Sequence, residues 1–409
     1  MIQDDPREHT IENRDTVVAG LTGSAIVIGL VSLLSDISGE MIYPILPVFL
    51  TETLHAPATV LGLVEGIAVG ASTAIGGISG WISDRIGRRK PIAFAGYALT
   101  AVTRPLIAAA QVWPIVLGAR FVERFGKGIR SAPRDALLAE STAKTYRGRA
   151  FGFERAMDSG GAVIGPLVAL MLVGWASLDA RSIFLVSAIP GSLAALFILF
   201  VRERRHSSDQ STKLKFSLAG TNPDYKKLLL VTAIFGLGNS ANAFLILRSG
   251  QLGLDRKWTI LSYALYNLMA SLTAMPAGAA SDRFGRRNIL IVGFAIYAVS
   301  YFGFGAANAG WLVWPLFALY GLFPALTDGI GKALAVDNAG SAGRATVIGI
   351  YSMVVGITEI AASYIGGLMW DRVNSRATFY IGSAFALIAI AVALVLLPKK
   401  PQSAAIQES

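Results

Sequence analysis

Two carboxylates, Asp36 and Glu40, stand four residues apart inside one long apolar run, which places them on the same face of a helix. Paired acids in such surroundings can take up and give back a proton as their neighbours change, and that is the chemistry of coupling to a proton gradient. A second run carries Arg120, Glu123, Arg124 and Lys127 at the spacing of one continuous helical stripe. A charged stripe cannot face lipid cheaply, so it must line a cavity or a neighbouring helix. Glu154, Arg155 and Asp158 repeat the pattern at the start of a third run and are expected to meet those cations. Glu65 and Glu359 are further acids within apolar runs, with no cation a turn away. Asn239 and Asn242 share a helical face, and Tyr263, Tyr266 and Asn267 cluster nearby in sequence, so both sets are candidates for a substrate wall.

The elements that hold these residues follow from composition. Of 409 residues 54% are hydrophobic and 15% charged, too apolar a balance for a soluble domain. A helical span takes about 20 residues, so twelve spans use about 240 and leave no room for a sizeable soluble domain. The apolar runs are continuous and do not alternate, which argues against a transmembrane barrel. Runs near 22–50, 60–82, 92–111, 113–135, 150–175, 182–201, 227–248, 258–280, 289–307, 311–335, 346–369 and 378–397 predict an all-α protein with twelve transmembrane helices.

With both ends inside, the inner connections hold 25 Lys or Arg and the outer ones six, so both termini are expected in the cytoplasm. The net charge of +10 belongs to those connections and implies no nucleic-acid partner. The expected setting is the cytoplasmic (inner) membrane. There is no cysteine, and His9, His55 and His206 lie in a tail and two connections, which predicts no metal site. No phosphate-binding glycine loop is present, and no histidine stands where it would act in acid–base catalysis, so neither an enzyme nor an organic cofactor is expected.

The longest polar connection falls mid-chain, and the sequence repeats about it. Gly80-Trp81-Ile82-Ser83-Asp84-Arg85-Ile86-Gly87-Arg88-Arg89 returns as Gly278-Ala279-Ala280-Ser281-Asp282-Arg283-Phe284-Gly285-Arg286-Arg287, an ungapped offset of 198 residues. A weaker echo relates Glu140 to Asp337. These repeats predict a six-helix bundle at 1–201, a linker at 202–226, a second bundle at 227–397 and a tail at 398–409, with the bundles pseudo-symmetric.

The repeated loop resembles the signature of the major facilitator superfamily. Gly152, Gly161, Gly165 and Pro166 are similar to the antiporter motif of its drug-exporting branch, although Ala169-Leu170 replaces the closing glycine pair. Glu40-Met41-Ile42-Tyr43-Pro44, followed by Pro47, resembles the acidic, proline-broken first helix of twelve-helix drug/proton antiporters. The resemblance implies a secondary active transporter working by alternating access, with H+ as coupling ion, a small amphipathic substrate and a monomer in the bilayer. It implies a latch in which Asp84 accepts from loop arginines and Arg85, Arg88 and Arg89 clamp Glu140, with Asp282, Arg286 and Asp337 as the second copy; Glu154 and Asp158, at the inner end of their run, read as an inner gate or a substrate site. It also implies a cavity arginine in span four, for which Arg120 and Arg124 both qualify; the pattern leans to Arg124. Import of an organic anion or sugar, export of an oxygen-liganded metal ion, and a non-transporting receptor or scaffold are the alternatives.

Overall fold

The structure, a computed structural model, describes residues 16–18, 21–86, 88–203, 220–340 and 344–398. For 16–18, 71, 73–74, 76–78, 80–86, 144 and 344–345 it describes the backbone alone. A short antiparallel ribbon, β1 (Thr16–Val18) with β2 (Leu21–Thr22), precedes an otherwise helical chain.

The helices are α1 (Gly23–Ile42), α2 (Leu46–Val48, continued as a π-turn over Phe49–Thr53), α3 (Ala58–Ile86), α4 (Lys90–Ala109), α5 (Trp113–Ser141), α6 (Arg147–Gly174) and α7 (Ala180–Phe197). They continue as α8 (Pro223–Gly236), α9 (Ala243–Gln251), α10 (Arg256–Phe284), α11 (Arg286–Ala306), α12 (Val313–Asp337), α13 (Arg344–Arg372) and α14 (Ser375–Leu396). Their starts are written locally. Pro91, Pro114 and Pro223 open α4, α5 and α8, where a missing N–H costs nothing. Asp179, Asn222 and Asn374 cap α7, α8 and α14 through their side chains. Gly285, at φ 89°, makes the turn between α10 and α11.

Eight helical segments of the described residues are long and apolar enough to cross a membrane. The helices α3, α5 and α10 are also 29 residues each, long enough to span, and α5 is the less apolar for its charged stripe. Span one is α1 plus α2, broken at Tyr43–Ile45, and span seven is α8 plus α9, broken at Leu237–Asn242. The described residues are thus consistent with twelve spans.

The contacts divide into two compact units, 1–42 with 75–213 and 43–74 with 214–409. Within unit 1, α1 packs on α6 and α7, and α4 on α5 and α7. Its apolar core joins Ile28, Val31, Tyr97, Leu137, Leu138 and Ile198, all at most 1% exposed. Within unit 2, α12 packs on α10 and α11, and α14 on α11, α13 and α8. An aromatic stack fills its centre: Phe235 lies 4.0 Å from Phe294, and Tyr297 lies 4.1 Å from Tyr301.

Candidate functional site

The α1–α6 seam of unit 1 is set by two glycines. A Cβ on Gly161 would stand 2.9 Å from the Asp36 Cβ, and one on Gly165 would stand 2.7 Å from the Glu40 Cβ. Only hydrogen at these positions lets the helices approach so closely, as small residues one turn apart do in membrane helices. Gly152 does not join them. It is exposed with open space around its Cα; the earlier turns of α6 meet α1 through Phe153 and Met157 at Gly29 and through Glu154 at Ser32.

That approach brings Asp36 of α1 and Asp158 of α6 within hydrogen-bond reach of each other. Lys127 of α5 places its Nζ 3.9 Å from Asp36 Oδ1, and Arg155 lies 3.3 Å from Asp158. One turn away, Arg134 bonds Glu154 at 2.7 Å, and Ser32 donates to the same carboxylate at 2.7 Å. Arg130 donates to Ser35 and lies over the Tyr97 ring, 4.1 Å from its centroid. The charged stripe of α5 therefore continues beyond Lys127 through Arg130 and Arg134, and the acids of α6 do meet span-four cations.

Glu123 has a different environment. It is 5% exposed, with Arg120 Nη1 at 2.7 Å and Arg104 Nη1 at 3.1 Å from its Oε2, and both arginines are 1% exposed. Arg104 also donates through Nε to Ser38 at 3.1 Å. Arg120, with Arg104 from α4, is thus the pair that holds Glu123, while Arg124 is partly buried beside them. Sequence reasoning left out Arg104, although a lone arginine in the apolar run of α4 was itself a signal that an acid must face it.

In the first loop the backbone of Asp84 and Arg85 ends α3, and their side chains lie outside the described ones. Arg89 ion-pairs with Glu140 as expected, whereas Arg88, expected there too, is exposed. Arg89 opens α4 and so points back along the bundle toward the end of α5. In the second loop Arg286 binds Asp337 at 2.6 Å and lies 3.8 Å from Asp282.

Unit 2 separates Asn239 from Asn242. The chain leaves the helix after Gly236, so the shared helical face expected of them does not form. A Cβ on Gly238 would stand 2.5 Å from Phe385 Cβ, and the close approach of α14 accompanies the unwound backbone. Its freed groups are satisfied by side chains: Tyr297 donates to the Gly238 carbonyl at 2.7 Å, Tyr301 to the Ser240 carbonyl at 2.8 Å, and Ser363 accepts from the Ala241 N–H at 3.1 Å. Tyr297→Phe removes this donor from a carbonyl that still accepts from Ser240 N at 3.0 Å, and a loss of about 0.5–1.5 kcal/mol is expected in thermal unfolding in detergent.

Asn242 turns to the tyrosines, donating to Tyr266 at 3.2 Å and accepting from Tyr320 at 2.7 Å. Tyr263 stacks between Tyr43 and Tyr266 at 5.3 and 5.5 Å, and Asn267 is 9% exposed on the same helix. Asn239 instead lines a cavity of about 240 Å³ with Thr232, Phe235, Phe323, Asp328, Lys332, Tyr351 and Glu359. Glu65 is buried in α3 at 2% exposure, between Gly62 and Gly66, which face α13.

The family model described as Major Facilitator Superfamily matches residues 28–265 and 228–409. The chain belongs to the Major Facilitator Superfamily. It is 33% identical over 374 residues to an uncharacterized MFS-type transporter of Methanocaldococcus jannaschii, covering 90% of this chain and 93% of that protein. It is 27% identical to a class G tetracycline resistance protein of Vibrio anguillarum, covering 83% and 88%. Among solved structures, a D-xylose–proton symporter superposes with a TM-score of 0.74 at 16% identity, over 92% of this chain and 97% of that one. A nucleoside transporter gives 0.76 at 13% identity, over 92% and 100%. These likenesses carry the fold. The protein is a multi-pass membrane transporter with a small-molecule substrate.

Proposed function

We propose that this transporter exports an amphipathic small molecule in exchange for protons, by alternating access, from the cytoplasmic membrane with both termini inside. The observation that carries the reading is the Asp36–Asp158 contact. Two carboxyl groups within hydrogen-bond reach inside a membrane seam need a proton between them, because two carboxylates offer no donor. Such a pair, with a lysine nearby, is a place to load and unload H+. The aromatic and acidic walls of the unit 2 cavity suit the amphipathic partner, and its volume matches part of a drug-sized ligand. Relatives named for tetracycline resistance favour the outward direction. No organic cofactor or catalysis enters the proposal.

The test is accumulation of tetracycline and of a fluorescent cationic dye in cells lacking their main pumps. Wild type, Asp36→Asn and empty vector are compared with and without a protonophore. Export predicts severalfold lower accumulation in wild type alone, abolished by the protonophore. Raised accumulation in wild type would mean import, and equal levels throughout would remove these compounds from the substrate class.

A further inference from the structure

The two halves of the repeat differ where their third span begins. In unit 1 the start of α4 is closed by an acid from further along the chain: the Glu203 carboxylate accepts from the backbone N–H of Arg89 and, at 3.0 Å, from that of Lys90. A carboxylate there answers the positive end of the helix. The repeat offset of 198 residues carries Glu203 to Pro401, and the offset that relates Glu140 to Asp337 carries it to Lys400. The second half therefore has no acid at the matching place in the sequence. The matching helix, α11, starts at Gly285 without a side-chain cap.

A cavity of about 330 Å³ stands at that start, within unit 2. Its wall includes Asp224 of α8, Asp282, Arg286 and Arg287 about the α10–α11 turn, Asp337 of α12, and Leu397 just beyond α14. The acids are already served: Lys227 bonds Asp224 at 2.7 Å, and Arg286 bonds Asp337 at 2.6 Å and lies 3.8 Å from Asp282. Arg287 is placed otherwise. It is 8% exposed, and its Nη atoms donate to the uncharged oxygens of Asn288, Ala393 and Leu394. Its Nε has no hydrogen-bond partner among the described residues. A buried guanidinium among neutral groups is costly, and an anion beside it offsets that cost.

The kind of anion follows from the wall. A phosphoryl group has oxygens enough for both the fork of a guanidinium and the free N–H groups at a helix start, and the cavity has room for it. Both α11 and α14 are long and apolar enough to cross a membrane, so their ends lie at the level where a bilayer carries its phosphates. Asp337 and Asp282 keep Arg286 occupied, which leaves recognition to Arg287 and the first turn of α11. We propose that this cavity binds a phosphoryl group, supplied either by a phospholipid headgroup or by free phosphate.

The test is native mass spectrometry of the full-length protein in detergent, with phosphatidylglycerol, diacylglycerol or sodium phosphate added. The two lipids share their chains and differ in the phosphoryl headgroup. Wild type, Arg287→Gln and Asp337→Asn are compared, and gel filtration of each reports the fold. The expected result is binding of phosphatidylglycerol or of phosphate that weakens about tenfold or more in Arg287→Gln, the size of a lost hydrogen bond to a charged group. Asp337→Asn releases Arg286 toward the cavity and binds the same probe more tightly, a gain that misfolding does not produce. Diacylglycerol binds alike in all three proteins.

Dependence on these residues for phosphatidylglycerol identifies a headgroup as the source. The same dependence for sodium phosphate, with none for the lipid, identifies a soluble phosphate. Equal binding of both probes by all three proteins would overturn the site. So would changes that phosphatidylglycerol and diacylglycerol share, since the acyl chains would then carry the binding. If Arg287→Gln does not stay monodisperse, Asp337→Asn decides alone, and unchanged or weaker binding there overturns the proposal.

Discussion

Gly62→Ala is expected to weaken the docking of α3 on α13 within unit 2 and to lower thermal stability by several degrees. Gly62, Gly66 and Gly70 are spaced four apart and present one face to Ile360 and Ser363 of α13. A Cβ on Gly62 would overlap the Ser363 carbonyl oxygen, and one on Gly66 would stand 3.0 Å from Ile360 Cα. From the other side, a Cβ on Gly367 would meet Ala58 O and Thr59 Cα at 2.5 Å. The obstacles at Gly62 and Gly367 are backbone atoms, which cannot rotate out of the way as a side chain can. Overpacking where side chains can yield costs about 1–3 kcal/mol, so a clash with backbone should sit at or above the top of that range.

The same contact is finished by Asp371, whose carboxylate accepts from Ala58 N at 3.0 Å, Thr59 N at 2.7 Å and Thr59 Oγ1 at 2.6 Å. It caps the first turn of α3 from another helix, where an anion is favoured by the unpaired N–H groups. Asp371→Ala should therefore cost about 1 kcal/mol, the size of a lost cap, and less than Gly62→Ala. Scanning fluorimetry in detergent checks the ranking. Disulfide formation between Thr59→Cys and Asp371→Cys, with and without Gly62→Ala, checks the docking itself. Equal cross-linking in the two backgrounds would sink the idea that glycine is needed there.

The glycine face was readable as a Gly-x-x-x-Gly-x-x-x-Gly run, yet the sequence does not say which helix meets it. That distinction runs through the molecule. Local rules place the helices well, because apolar length, Pro at the first turn and Asx caps act within a few residues. The repeat was legible for the same reason, since two copies of one loop can be aligned without knowing what they touch. The Arg286–Asp337 contact follows that echo, and of the three arginines expected on Glu140 it is Arg89 that reaches it, a register of one residue that depends on how α4 starts. Asn239 and Asn242 were misplaced by assuming a continuous helix; the break at Leu237 depends on α14 crowding Gly238 and on tyrosines from α11 satisfying the opened backbone. Asp36 pairs with Asp158 across 122 residues of chain, and no periodicity within α1 reveals that. Glu40, four residues on, was the expected partner of Asp36 because only local spacing was visible.

Glu123→Gln should be the most destabilising single change in unit 1. Arg104 and Arg120 are each 1% exposed with a nitrogen within 3.1 Å of Glu123, and Arg124 adds a third guanidinium to its field. Glutamine keeps the shape and one acceptor oxygen but removes the negative charge that these cations surround. Taking one partner from a buried ion pair costs about 3–5 kcal/mol, because the remaining charge is left uncompensated. The cause can be separated from a lost hydrogen bond by adding Arg120→Gln. If repulsion among the guanidiniums dominates, the double variant unfolds at a higher temperature than Glu123→Gln alone; if the hydrogen bond dominates, it unfolds lower still. The same variant also separates Glu123 from the proton-carrying acids. If Glu123 serves the fold and not proton exchange, folded Glu123→Gln protein keeps the protonophore-sensitive export that Asp36→Asn loses. Loss of that export in a well-folded Glu123→Gln protein would move the proton site from the α1–α6 seam to the arginine cluster.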